Sequence, residues 1–183
     1  MAKVKHPTWL RAAALRLTRA HFLLMLVYVG SIILFDMTHL MAPEIITKRA
    51  VAVSSSLAVI GLIWFMAHRR TESSGFHRKL IYALIALDIS VVVFMIFTDR
   101  GVASREVVLL LIPIISSAVL ASRTAIFTTT VLCIAVYLAA VTRYDYLHPN
   151  EMYNVELYGI TAIFSAVMVV CASLLWAVVR SRK

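Results

Sequence analysis

Residues 80–98 read LIYALIALDISVVVFMIFT, and this stretch decides the fold class. It contains a single charged side chain, that of Asp88, and neither glycine nor proline. At roughly 1.5 Å per residue, a helix of this length spans about 28 Å, close to the ~30 Å hydrocarbon core of a bilayer. The stretch therefore predicts a transmembrane helix.

Five further apolar blocks flank this stretch in a chain of 183 residues. The chain is 62% hydrophobic and only 15% charged, whereas about a quarter of a soluble domain is charged. We therefore predict an all-α integral membrane bundle of six transmembrane helices, with Pro113 kinking a short fourth span. The predicted spans are 20–38, 50–67, 80–98, 107–121, 124–142 and 157–179.

The basic residues predict the orientation of the bundle. If the N-terminus is cytoplasmic, thirteen of the eighteen Lys and Arg residues fall on the cytoplasmic side, so the positive-inside rule places both termini there. Residues 1–19 predict a basic amphipathic juxtamembrane helix, 20–179 the membrane domain, and 180–183 a basic cytoplasmic tail. The net charge of +9 then indicates contact with anionic lipid at the cytoplasmic face, and no nucleic acid partner is expected.

Asp88 is the one acid deep inside a predicted span. A carboxylate there costs about 2.5–3.5 kcal/mol on insertion scales, so it should face the bundle interior or be protonated. It is either a polar clasp that fixes helix packing or a proton-sensitive switch or ligand contact. Counting residues from the cytoplasmic surface places Tyr28, Cys133 and Cys171 at a similar depth, and Tyr28 is the expected hydrogen-bond donor to Asp88.

Other polar residues form a second set of candidates. Serines and threonines within spans let helices approach closely, and a polar ligand cavity is the alternative interpretation. The outer turn 98–106 either forms a charged rim that binds a lipid headgroup or simply carries solvated charges. The candidates are Ser116, Ser117 and Thr130 within the spans, Pro113 as a hinge, and Asp99, Arg100, Arg105 and Glu106 at the rim.

Motifs for catalysis or metal binding are not found in the sequence. The six histidines lie near the predicted membrane surfaces, without a second ligand at metal-binding spacing. There is no P-loop, nucleophile elbow or HExxH sequence. We therefore expect no enzymatic activity, no cofactor and no metal site.

Residues 87–120, LDISVVVFMIFTDRGVASREVVLLLIPIISSAVL, resemble the central part of the six-span input domains of bacterial sensor histidine kinases. The redox-responding and pilus-regulating kinases are examples. The shared features are an aspartate in the third span, a short outer turn with glycine, and a Pro-Ile pair followed by small residues. The matching positions are Asp88, Thr98, Gly101, Ser104, Pro113 and Ile114, followed by ELYG at 156–159.

The resemblance implies a sensory input module in the bacterial cytoplasmic (inner) membrane. Such a module detects a membrane-soluble or envelope signal and passes it through its last helix to a cytoplasmic signalling partner or a fused output domain. A homodimer is also implied. Because a kinase would continue beyond the sixth span, we expect either an excised input domain or a free-standing small membrane protein.

Two other functions stay open at this point. One is a small-molecule-binding subunit of a membrane transporter, although five glycines and short loops count against it. The other is a structural or assembly subunit of a membrane complex, docked through the basic cytoplasmic surface.

Overall fold

The regular structure of the described residues is entirely helical. The computed structural model describes residues 8–36, 38, 43–69, 74–98, 105–147 and 155–181. The predicted all-α class with six helices is confirmed. The helices are α1 (Thr8–Ser31), α2 (Pro43–Arg69), α3 (Ser74–Thr98), α4 (Leu111–Ala118), α5 (Arg123–Leu147) and α6 (Val155–Ser181); a π-helical turn (Ile32–Asp36) follows α1, and a 3₁₀ helix (Arg105–Leu110) precedes α4.

Five of these helices, all but α4, are long and apolar enough to cross a membrane. The fourth span combines the six-residue 3₁₀ helix with the eight residues of α4. A 3₁₀ helix rises about 2.0 Å per residue and an α-helix about 1.5 Å, so the two together extend roughly 24 Å. The 3₁₀ stretch thus lengthens a segment that would otherwise be too short for the ~30 Å hydrocarbon core.

Pro113 lies near the junction of the two helix types in the fourth span, and the kink expected there stays a prediction. Pro113 is the third residue of α4 and lies in its first turn. Proline is tolerated there because the first N–H groups of an α-helix have no partner within the helix. The fourth span therefore changes helix type before Pro113 and continues as a short α-helix after it.

The N-terminal arm and the first span form one helix in the structure. The boundary predicted after residue 19 falls inside α1, which is continuous from Thr8 to Ser31. Residues 9–19 are mostly alanine, leucine and arginine, which are strong helix formers, so the polar face does not interrupt the helix. The surface location of the arm stays a prediction. The last predicted boundary, at 180, likewise falls inside α6.

The chain divides into two compact units, Met1–Leu84 and Ile85–Lys183, and the division falls within α3. In the first unit α1 packs against α2. There Nη2 of Arg11 donates a hydrogen bond to the carbonyl oxygen of His68 at 3.2 Å, which joins the start of α1 to the end of α2 as an antiparallel hairpin. In the second unit α4, α5 and α6 each pack against the other two.

The turn between α4 and α5 stores backbone strain that a substitution should release. Ala121 has a φ of 50°, a left-handed conformation that costs a residue with a Cβ about 1–2 kcal/mol. We expect Ala121→Gly to raise the free energy of unfolding by about 1 kcal/mol, as measured by unfolding the micelle-solubilised protein. Ala135→Gly, at an exposed position inside α5, should lower it by a similar amount. A loss of stability in both variants would contradict the strain.

Candidate functional site

Asp88 lies in the middle of an apolar helix face. It is ten residues before the end of α3 at Thr98, or about 15 Å along the helix axis. Leu84, Val92 and Met95 are buried on the same face at helical spacing, and Asp88 itself is only 3% exposed. The Asp88 carboxyl group therefore lies on the buried apolar face of α3 and is shielded from solvent.

The thiol of Cys133, on α5, lies within electrostatic range of Asp88. Cys133 is fully buried, and the Asp88 carboxylate acts electrostatically on its thiol. The residue count from the membrane surface had placed these two side chains at a similar depth, and the structure brings them together. Both belong to the second unit.

A second contact shows that α3 and α5 run in the same direction. The Arg143 guanidinium carbon lies 5.3 Å from the centre of the Phe97 ring. Phe97 is nine residues beyond Asp88 on α3, and Arg143 is ten residues beyond Cys133 on α5. The Phe97–Arg143 contact and the electrostatic proximity of Asp88 to Cys133 are spaced almost equally along the two helices, so α3 and α5 run in the same direction.

A polar stripe on α5 extends from Cys133 in both directions. Thr130, Cys133 and Tyr137 follow one another at helical spacing, and all three are buried. The Thr130 hydroxyl donates to the carbonyl oxygen of Ile126 at 2.9 Å, within its own helix. The fully buried Tyr137 side chain places its hydroxyl beside Thr161 of α6, although among the described residues it forms no hydrogen bond of good geometry.

The serines of α4 behave as packing residues. Ser116, Ser117 and Pro113 are all buried. The Ser117 hydroxyl donates to the carbonyl oxygen of Ile114 at 2.6 Å, so it is satisfied within its own helix. Small side chains whose hydroxyls bond their own backbone let helices approach closely without exposing a polar atom. This supports the packing interpretation for Ser117 and, in the same way, for Thr130.

Tyr28 and Asp88 belong to different units. Tyr28 is partly buried in the first unit, whereas Asp88 lies in the second. The predicted hydrogen bond between them stays a prediction. Cys171, the other residue expected at this depth, lines an apolar groove between α4 and α6.

The predicted outer rim is described only in part. Asp99, Arg100 and the side chain of Arg105 lie outside the described residues. Glu106 is 2% exposed, and its neighbour Val107 is fully buried. Glu106 is therefore a buried group and not a solvated charge, whereas the other interpretation of the rim, binding of a lipid headgroup, stays a prediction.

Two buried polar side chains, Tyr137 and Arg49, were missed by the sequence analysis. Tyr137 follows Cys133 by four residues, so the helical spacing from the cysteine could have identified it. Arg49 directly precedes the predicted second span, 50–67, yet it is 1% exposed within α2. Among the described residues, no three His, Cys, Asp or Glu side chains group as metal ligands.

The arrangement around Asp88 can make helix packing sensitive to charge. An ionised carboxylate inside an apolar bundle is costly unless polar groups stabilise it, whereas a protonated one is much less so. The charge state of Asp88 therefore affects the electrostatic interaction of its carboxyl group with Cys133 on α5. A change of that state would alter the free energy of the α3–α5 contact.

Comparison with known proteins identifies the family. Neither the curated proteins nor the solved structures give a match. A family model described as a PilS-like transmembrane domain matches residues 5–182, which include every described helix. PilS is a histidine kinase sensor with a six-helix transmembrane domain, so the resemblance seen around Asp88 and Pro113 is confirmed. The chain belongs to the family of PilS-like transmembrane domains.

Proposed function

We propose that this chain is a sensory input module that detects a membrane-soluble or envelope signal and transmits it through α6 to a cytoplasmic output. The observation that carries the proposal is the family match over residues 5–182, because the family is defined by the membrane domain of a sensor kinase. Buried Asp88 supports it, since an ionisable group inside a membrane bundle indicates a functional site.

In the proposed mechanism, the bundle has two packing states and the signal binds one of them better. A ligand shifts such an equilibrium only by its difference in affinity for the two states. Asp88 supplies that difference, because its interaction with Cys133 depends on how closely α3 and α5 pack. α6 contacts both α4 and α5, so a rearrangement of these helices reaches α6 directly.

The proposal includes a location and a set of partners. The chain crosses the bacterial inner membrane with both termini in the cytoplasm, as the distribution of its bases indicates. The output is a cytoplasmic signalling partner or a fused domain reached from the end of α6, and the module acts as a homodimer. It performs no catalysis of its own.

Asp88→Asn tests the function. The transcripts that differ between cells with and without the intact gene define the output. We expect Asp88→Asn to hold that output at one level under every envelope or membrane stress that changes it in the wild type, because the amide cannot change charge. Transcript profiling across those stresses measures the effect.

Asp145→Asn is the matched control, because it makes the same chemical change near the end of α5, two residues before Leu147. It should leave the response unchanged. Membrane levels of both variants are compared by blotting, so that loss of protein is distinguished from a locked output. A wild-type response in Asp88→Asn at normal abundance would remove Asp88 from the mechanism. If deletion of the gene changes no transcript under any stress, the sensory proposal itself fails.

A further inference from the structure

A half-open cleft lies between α1 and α2 in the first unit. Its volume is about 500 Å³, within the range of roughly 300–1,000 Å³ that small-molecule sites occupy. Phe22 and Leu23 of α1 form one wall. Ile60, Gly61 and Trp64 of α2 form the other.

Gly61 is the residue that leaves this space open. A Cβ built on Gly61 would meet no other heavy atom within 4 Å. The neighbouring Ile60 is 1% exposed and closes the cleft on the inner side. A larger side chain at position 61 could therefore enter the cleft without moving the backbone of either helix.

The cleft opens near the basic end of the hairpin. Arg11 is bonded to the carbonyl oxygen of His68 at that end, and exposed Arg16 and Arg69 lie close by in sequence. The Trp64 ring stacks on His68 at 5.7 Å. Since Trp64 also lines the cleft, the cleft begins within about one helical turn of the charged end and runs into the apolar part of the hairpin.

Arg19 supplies a positive charge within the cleft itself. It is an exposed lining residue, eight residues beyond Arg11 and so about 12 Å farther along α1. An arginine at this depth extends toward the nearest phosphate, which its planar guanidinium can bind through two hydrogen bonds. The apolar walls suit an acyl chain, and Arg19 suits the charged group attached to it.

We propose that this cleft binds one acyl chain of an anionic phospholipid, with the lipid phosphate held by Arg19. The lining combines a concave apolar surface from two helices with a single cation at its side. A phospholipid in the leaflet at the basic end offers an acyl chain to the apolar walls of the cleft and a phosphate to Arg19. The Trp64 indole N–H is a further donor available to the lipid's polar region.

Quenching of Trp64 by brominated lipid tests the site. The chain has three tryptophans, so Trp9→Phe and Trp176→Phe leave Trp64 as the only reporter. The full chain is reconstituted in phosphatidylcholine vesicles that contain a small fraction of phosphatidylglycerol brominated on its acyl chains. We expect roughly tenfold more quenching per mole of this lipid than of brominated phosphatidylcholine, because the choline cation of the latter already offsets its phosphate charge and weakens the charge-assisted contact with Arg19.

Two pairs of variants separate the site from general membrane attraction. Arg19→Gln should reduce the tenfold preference to about one, whereas Arg16→Gln, an equal loss of charge outside the cleft, should preserve it. Gly61→Leu should fill the cleft and lower quenching by both lipids, whereas Gly30→Leu, which also enters open space, should not.

Three results would overturn the proposal. They are equal effects of the two arginine variants, equal quenching by the two brominated lipids in the parent protein, and unchanged quenching in a folded Gly61→Leu variant. Circular dichroism checks the helical content of each variant. If Gly61→Leu does not fold, the comparison of Arg19→Gln with Arg16→Gln decides the question by itself.

Discussion

Tyr137→Ala is expected to lower the free energy of unfolding by about 3–5 kcal/mol, because it removes a fully buried aromatic side chain from the second unit. The ring packs where α5 and α6 meet, beside Thr161. Truncation leaves a cavity that rigid neighbouring helices fill only in part. Unfolding of the micelle-solubilised protein by increasing sodium dodecyl sulfate, followed by circular dichroism, measures the change.

Tyr137→Phe separates the ring from its hydroxyl. The hydroxyl makes no hydrogen bond of good geometry to the described part of the chain. Its loss should therefore change stability by less than about 1 kcal/mol. Tyr146→Ala, on the same helix but 84% exposed, should have an effect below about 0.5 kcal/mol. If Tyr137→Phe costs as much as Tyr137→Ala, the hydroxyl and not the packed ring stabilises this contact.

The helices could be predicted from the sequence because a long apolar stretch indicates a segment that lies in the hydrocarbon core of the bilayer. Every predicted span coincides largely with helical residues. Four spans lie within longer helices, as in Pro43–Arg69 for the predicted 50–67, whereas the spans predicted to end at 38 and 121 extend past helical segments that end at Asp36 and Ala118. Apolar residues mark the hydrocarbon core, whereas a helix continues into the headgroup region wherever polar helix formers follow. The ends of the helices therefore could not be read from hydropathy.

The fourth span shows a different limit. Its apolar residues predicted a span, and its proline predicted a kink. The observed change from 3₁₀ to α-helix between Leu110 and Leu111 depends on how the segment packs and on the length it must cover. Neither the packing of the segment nor the length it must cover can be read from its local sequence. Only the existence of a fourth span could therefore be predicted.

The candidate site, like the fold, could be predicted only in part. Depth along a helix follows from residue number, so the similar level of Asp88 and Cys133 could be predicted. Rotation of one helix against another does not follow from hydropathy when a helix is apolar nearly all round. For this reason the buried position of Glu106 became visible only in the structure, whereas Tyr137 could have been found from its four-residue spacing to Cys133.

Arg49→Ala is the other substitution with a large expected effect. Arg49 is the largest fully buried side chain in the described part of the chain, and it has an interaction partner. Removal of a buried charged group strands that partner and leaves a cavity, which together should cost about 3–5 kcal/mol. The same detergent-unfolding experiment measures the loss, with the first unit followed through the fluorescence of a single retained Trp64.

Arg49→Met distinguishes the charge from the volume of the side chain. Methionine fills much of the space but leaves the partner of Arg49 without its cation, so this variant should be less stable than the wild type and more stable than Arg49→Ala. The same substitution at the adjacent Lys48 is the control. Lys48 is 49% exposed and forms an ion pair with Glu44 at 2.6 Å, and the loss of such an exposed ion pair should not change the free energy of unfolding measurably. A loss of stability in Arg49→Met as large as in Arg49→Ala would show that the charge itself holds the start of α2. A neutral Arg49→Met would mean that the first unit tolerates an apolar residue there, and that the arginine is retained for something other than stability.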